Sequence, residues 1–184
     1  MDEVKVKNLM VPLAEYATVS KDATLHEAVL ALKEAQQKFE RGDYLHRAIL
    51  VYDENKKVVG KLSQSDVLRA LEPGYKEIGN LDHVSHWGLT RDFIRSLMKT
   101  HGLLQRPLDD ICQVAAVMKV RDVMYTPAEG EYVQEDSTLN EAIHQLVIGK
   151  HQSLLVTKGD QVVGVLRLTD VFAKVSAIME SCAI

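Results

Sequence analysis

The chain repeats itself, and this repeat limits the possible folds more than any other feature of the sequence. Three pairs of segments match in the same order: 4–10 with 118–124, 17–32 with 131–146, and 48–60 with 153–164. The last pair reads AILVYDENKKVVG in the first copy and SLLVTKGDQVVG in the second. Three ordered matches indicate two copies of a unit of about sixty residues.

Both copies predict the same order of elements. Thr24 with Glu27, and Thr138 with Glu141, have the spacing of a capping box, in which a hydroxyl and a carboxylate bind the free amides at a helix start. Apolar residues then recur at helical spacing, and two short β-rich runs and a second helix follow. We therefore predict strand–helix–strand–strand–helix in each copy. Two such α/β layers bury their apolar sheet faces by packing together.

The boundaries follow from the repeat. We place the first domain at 1–71, a helical insertion at 72–117 and the second domain at 118–184. Two stretches of the insertion carry apolar residues at helical spacing, DFIRSLMKTHG and PLDDICQVAAVM. Cys112 is predicted to be a buried thiol on the apolar face of the second helix.

Charge and hydropathy limit the classes of partner. A net charge of −4 and a pI near 6.0 argue against a nucleic-acid or anionic-lipid partner. No apolar run approaches the roughly 20 residues of a membrane-spanning helix, and the start, MDEVKVKNLM, is too charged for a signal peptide. We therefore predict a cytoplasmic protein without a membrane or nucleic-acid partner.

Each copy closes on a stretch that ends in aspartate, VVGKLSQSD at 58–66 and VVGVLRLTD at 162–170. One interpretation of Ser63 and Asp66 is purely structural, since S-x-x-D is a common helix start. The second copy has Arg167, which cannot cap a helix in this way, but keeps Asp170. A carboxylate that occurs with and without its capping partner is a candidate for binding the two hydroxyls of a ribose.

Together with the leading segments KNLMVP and RDVMYTP and the helix openers ATLHEA and STLNEA, these stretches resemble a tandem pair of CBS (cystathionine β-synthase) domains. The family motif runs Gly, two residues, Ser or Thr, two residues, Asp. Gly60, Ser63 and Asp66 fit it, whereas Arg167 replaces the hydroxyl in the second copy. The resemblance covers both copies and leaves out the segment between them.

The resemblance implies two layers related by a pseudo-twofold axis, homodimers, and clefts that bind an adenosine-containing regulatory ligand: AMP, ADP, ATP or S-adenosylmethionine. No other cofactor is implied. Asp66 and Asp170, with Ser63, would bind the ribose. The implied base pocket consists of Ala17, Thr18, Val19 and Ala48 in the first copy and Glu131, Tyr132, Val133, Gln152 and Ser153 in the second. Its aliphatic members are equally typical of a buried strand.

A phosphate group requires positive charge or helix-start amides. The candidates are Arg167, Arg47 and Lys61, each of which is also explained as a solvated surface charge. Arg167 has a third possible role, which is to fill the second cleft and block it.

Two further kinds of site are set aside. His83 and His86 have a spacing that allows a shared metal, but no third ligand stands at a suitable distance in the sequence, so no metal site is predicted. The sequence carries no GxSxG motif, no Walker loop and no dinucleotide-binding fingerprint, which argues against an enzyme.

Two functions from different classes remain. The first is a ligand sensor that signals to an unknown protein effector, with the 72–117 helices as its contact surface. The second is a dimeric scaffold whose clefts bind nothing, favoured by Arg167 and by the extra residues KEAQQKFERGDYLHR at 33–47.

Overall fold

The computed structural model describes residues 4–38, 46–72, 90–100 and 110–181. His83, His86 and residues 39–45 of the first-copy extension lie outside the described residues. The strands are β1 Val11–Pro12, β2 Thr18–Ser20, β3 Ala48–Tyr52, β4 Val58–Ser63, β5 Tyr132–Gln134, β6 Ser153–Lys158 and β7 Gln161–Arg167. The helices are α1 Leu25–Lys38, α2 Gln64–Leu71, α3 Arg91–Thr100, α4 Ile111–Val117, α5 Leu139–Gly149 and α6 Leu168–Ser181.

The strands form two sheets, each built mainly from one copy, as the repeat predicts. The first sheet has the order β2-β3-β4 and the second has the order β1-β7-β6-β5. In both, the short strand before the first helix pairs in parallel with the next strand, which then pairs with the last strand in antiparallel fashion. The mixed α+β class and the two-layer arrangement are confirmed.

The strands β3 and β6, one in each sheet, are buried on both faces. In β3, Ile49 and Val51 pack into the core that the first sheet shares with its helices, while Leu50 points the other way. Leu50 joins a separate apolar cluster with Leu155 of β6 and Val165 of β7, which holds the two layers together. Burial on both faces explains why these strands read as continuous apolar runs rather than as alternating ones.

The two copies exchange their leading segments, which the sequence does not predict. β1 belongs to the first copy but pairs with β7 of the second, with Val11 opposite Val165. Reciprocally, Tyr125 from the leading segment of the second copy bridges Lys61 of β4. Each leading segment therefore completes the sheet of the other copy, and this reciprocity is what a pseudo-twofold axis requires.

The helix starts follow the predicted capping chemistry. Thr138 Oγ1 accepts a hydrogen bond from the Glu141 amide at 3.1 Å, and the Glu141 carboxylate accepts one from the Thr138 amide at 2.9 Å. Thr24 and Glu27 make the same exchange at 3.2 and 2.6 Å. Both capping boxes are confirmed.

The segment between the copies contains α3 and α4 among its described residues, while 73–89 and 101–109 lie outside them. Ala115 of α4 is buried in the first-copy core beside Leu25 and Ala28 of α1. Cys112 is exposed, so the prediction of a buried thiol is wrong. The reason is that Ala115, and not Cys112, faces α1. No helix among the described residues is long and apolar enough to cross a membrane.

Candidate functional site

A cavity of about 630 Å³ lies between the layers, where the last strand of each copy gives way to its last helix. Ser63, Gln64 and Asp66 line it from the start of α2, and Arg167 and Thr169 from the start of α6. The axis that relates the two copies therefore brings two helix N-termini to the same cleft, where free backbone amides favour anionic groups.

Asp66 is held by Ser63 in a reciprocal capping box. The Asp66 amide donates to Ser63 Oγ at 3.2 Å, while Asp66 Oδ2 accepts from the Ser63 amide at 2.9 Å and from its hydroxyl at 2.6 Å. The structural interpretation of this pair is confirmed. Within the described part of the chain, Asp66 Oδ1 accepts no hydrogen bond.

Asp170 has a different partner. Arg167 donates to Asp170 from Nε to Oδ2 and from Nη2 to Oδ1, both at 2.6 Å. The arginine is only 7% exposed, and Asp170 does not line the cavity. Both oxygens of this carboxylate are thus used by a residue of the same turn, in the bidentate geometry typical of Arg–carboxylate pairs.

Tyr16 and His46 pack against each other close to Arg167 and Asp170. Their rings are 4.4 Å apart between centroids, and both side chains are buried. Burial raises the pKa of Tyr16 to about 12, and the charges of Arg167 and Asp170 also act on it. Burial and the nearby Arg167 lower the pKa of His46, which favours its neutral form.

A second buried ion pair lies on the Asp66 side. Glu131 is 2% exposed and accepts hydrogen bonds from Lys61 Nζ, from the Tyr125 hydroxyl at 2.6 Å and from the Ala128 amide at 3.1 Å. Burial opposes the charged form of Glu131, but these hydrogen bonds outweigh it and hold its pKa below the ordinary value. Lys61 is therefore neutralised by a carboxylate at the wall of the cleft.

Comparison with models of protein families shows to which family the chain belongs. The profile of the CBS domain matches residues 6–73 and 120–177, which together make up more than half of the sequence. The chain belongs to the CBS domain family. Comparison with curated protein sequences gives no match.

Solved CBS-pair structures share the fold. CBSX2 from Arabidopsis thaliana, in a complex with AMP, has a TM-score of 0.56 at 19% identity, covering 95% of this chain and 98% of that one. A CBS domain-containing protein from Bacillus anthracis has a TM-score of 0.62 at 17% identity, covering 95% and 94%. The cytosolic domain of the Mg²⁺ channel MgtE, in complex with ATP, has a TM-score of 0.57 at 18% identity, covering 95% and 49%. At these identities, the likeness establishes the CBS-pair fold.

The cleft of this CBS pair gathers many of the predicted site residues. Those that line the cavity are Arg47, Ala48, Lys61, Ser63, Asp66, Glu131, Gln152, Ser153 and Arg167. The others do not line it: Ala17, Val19 and Val133 are buried, Thr18 is exposed, and Tyr132 and Asp170 are half-buried. The strands β2 and β5 thus contribute core residues rather than cavity walls.

Sequence reasoning missed several residues of the CBS cleft, among them Tyr16 and Tyr125. Tyr125 belongs to one exchanged leading segment and Tyr16 follows shortly after the other, and the sequence carries no recognisable signal for this exchange. Lys150 and His151 were also missed, although they directly precede the predicted Gln152. His151 is the equivalent of His46 in the first copy, so a histidine repeated at this position is the signal that the sequence does carry.

Proposed function

We propose that this CBS pair is a regulatory module that binds an adenosine-containing ligand beside Asp66 and signals its presence to a partner protein. The observation that carries the proposal is Asp66 itself, whose Oδ1 accepts no hydrogen bond from the described residues while the side chain lines the cavity. We assign no catalytic step to the cleft.

The ribose is proposed to bind Asp66. A carboxylate offers about four acceptor sites, of which Ser63 uses two, so two remain for the hydroxyls of a diol. The bonds from Ser63 also fix the orientation of the carboxylate before the ligand arrives, and a group that is already oriented loses less entropy on binding.

The phosphate is proposed to bind near Arg47. Two of the three predicted cations, Lys61 and Arg167, are already paired with Glu131 and Asp170. Arg47 is exposed at the cleft, close to the α2 start, because its carbonyl accepts a hydrogen bond from the Gln64 amide at 3.0 Å. A phosphate here would be stabilised by the positive charge of the guanidinium and by the free backbone amides at the helix N-terminus.

The base is proposed to lie against Ala48 and the ring of Tyr125. Tyr125 is 43% exposed in the free protein and lines the cleft, so a stacked purine would cover an aromatic face that otherwise meets water. The remaining base-pocket predictions have no assigned contact with the base in this proposal: Ala17, Thr18, Val19, Glu131, Tyr132, Val133, Gln152 and Ser153.

We also propose that the chain forms homodimers through α2 and α6. Leu68 and Phe172 occupy equivalent positions in the two copies and are 68% and 64% exposed. Large apolar side chains in equivalent places on two helices favour an interface with a second copy. Light scattering should give the mass of a dimer for the wild type and that of a monomer for Leu68→Glu with Phe172→Glu; a monomeric wild type contradicts the dimer.

The layers or subunits are proposed to have two arrangements. A ligand shifts the equilibrium between them only by the difference in its affinity for the two arrangements. The partner protein then reads that arrangement, and the helices of 72–117 are its proposed contact surface.

A thermal-shift panel with AMP, ADP, ATP and S-adenosylmethionine tests ligand binding. At about 100 times its Kd, a ligand adds about 2.7 kcal/mol of stability. Wild type and Asp160→Asn, a change at an exposed turn, should both shift fully, and Asp66→Asn should gain only about half as much stability or less. No shift with any of the four compounds at millimolar concentration contradicts the sensor.

The scaffold is the second candidate, because the Lys61–Glu131 and Arg167–Asp170 pairs neutralise four charged groups of the cleft region. A scaffold without a ligand site predicts a flat thermal-shift panel together with a stable dimer.

A further inference from the structure

The two sides of the cleft differ at two positions that the repeat makes equivalent. Tyr16 of the first copy corresponds to Gly130 of the second, and Arg167 of the second corresponds to Ser63 of the first. Tyr16 lies close enough to Arg167 and Asp170 for both charges to act on it. Gly130 directly precedes Glu131, which lines the cavity together with Ser63 and Asp66. The large residues thus crowd one side of a pseudo-symmetric site and leave the other side open.

The Asp170 side is filled by protein. Tyr16 is 8% exposed and Arg167 is 7% exposed, and His46 packs against the Tyr16 ring. Arg167 also holds both oxygens of Asp170 at 2.6 Å. A ligand would have to displace a buried ring and break a bidentate ion pair before it reached this carboxylate.

The Asp66 side is open. A Cβ added to Gly130 would meet no atom within 4 Å, and Ser63 is short enough to leave Asp66 at the cavity wall. His151, the equivalent of the buried His46, lines the cavity here.

We propose that each chain binds one adenosine ligand, on the Asp66 side, and that Tyr16 and Arg167 exclude a second ligand from the Asp170 side. This inference rests on the proposed function. It makes Tyr16 and Arg167 the residues that set the stoichiometry of the module.

Calorimetric titration tests the stoichiometry, using whichever of AMP, ADP, ATP and S-adenosylmethionine gives the largest thermal shift. Wild type should bind one molecule per chain. Asp66→Asn should raise the Kd about tenfold or more, which is the loss of about 1.4 kcal/mol, while Asp170→Asn should leave stoichiometry and Kd unchanged. Two molecules per chain, or lost binding in Asp170→Asn, overturns this inference alone. Wild type that binds none of the four compounds overturns the proposed function as well.

Closing the open side gives an independent test. Gly130→Tyr transfers the blocking ring to the Asp66 side, at a position where the backbone accepts a side chain without a clash. We expect a Kd about tenfold or more above that of the control Gly130→Ala. Equal affinity of the two variants would show that a ring at this place does not exclude the ligand.

Opening the closed side is the converse test. Tyr16→Gly with Arg167→Ser copies the Asp66 side onto the Asp170 side and should raise the stoichiometry to two, and adding Asp170→Asn should return it to one. A folded double variant that still binds one molecule contradicts the role of the two residues. If loss of the buried Tyr16 ring prevents folding, the decision rests on Gly130→Tyr.

Discussion

Gly164 of β7 lies so close to Val11 of β1 that a Cβ on the glycine would stand 2.6 Å from the Val11 carbonyl oxygen. Gly60 of β4 has the same relationship to the other leading segment, with 3.0 Å to the Tyr125 carbonyl oxygen. Both repeated glycines are thus explained by the exchange, because each allows the leading segment of the other copy to approach its strand closely.

Gly164→Ala should therefore destabilise the protein. The nearest atom belongs to the backbone, so β1 has to shift, and overpacking of this kind costs about 1–3 kcal/mol. Urea unfolding measures the difference. Gly130→Ala is the matched control, since its Cβ meets nothing within 4 Å, and should change stability by less than about 0.5 kcal/mol. Equal stability of the two variants would mean that the exchange does not constrain Gly164.

The repeat predicts most of the fold because its signals are local. Thr138 and Glu141 are three residues apart, and the apolar residues of α5 recur within a few turns, so the sequence pattern carries them directly. The exchange of leading segments joins Val11 to Val165 across the whole chain. No local pattern separates that pairing from one within the same copy, because both put the same side chains in the same kind of core.

The sequence predicts the part of the site that comes from neighbouring residues, but not the part that depends on the exchange of leading segments. Asp66, Ser63 and Arg47 come together from adjacent elements of one copy. The motif identifies the first two, and positive charge makes Arg47 a candidate. Tyr16 reaches Arg167 only through the exchange, so its closing role has no counterpart in the sequence pattern. Arg167 was recognised as unusual, but whether it serves or blocks a ligand depends on what surrounds it.

Lys61→Met should destabilise the protein markedly, because it leaves Glu131 buried without its cation. Removing one partner of a buried ion pair costs about 3 kcal/mol. Lys61→Met with Glu131→Gln should recover part of this loss, since the neutral amide needs no counter-charge. Unfolding of the two single variants and the double variant in urea measures the coupling. A purely additive double variant would contradict the ion pair as a unit.

Stability should fall as the pH is lowered through the range just below 6.5, the ordinary pKa of histidine. The pKa of His46 is lowered in the folded state, so the unfolded chain binds the proton first and gains stability relative to the fold. Unfolding free energies measured between about pH 7.5 and about pH 5.5 give this slope. The pKa of Glu131 is held below its ordinary value, so this carboxylate takes up its proton below that pH range. His46→Gln should flatten the slope, whereas His144→Gln, at an exposed site on α5, should leave it unchanged. An unaltered slope in His46→Gln assigns the titration to another group.

Asp170→Asn should lower stability more than Asp66→Asn does, whereas Asp66→Asn should weaken binding more. Neutralising Asp170 leaves the buried Arg167 without its carboxylate, at a cost of about 3 kcal/mol, whereas Asp66→Asn only weakens a helix cap and costs about 1 kcal/mol. At about 100 times the wild-type Kd, Asp170→Asn should gain as much stability as the wild type, and Asp66→Asn about half as much or less. Urea unfolding with and without ligand measures all four values. If Asp66→Asn proved the less stable variant without ligand, or Asp170→Asn lost its response to ligand, the two carboxylates would not divide their roles between the binding site and the fold.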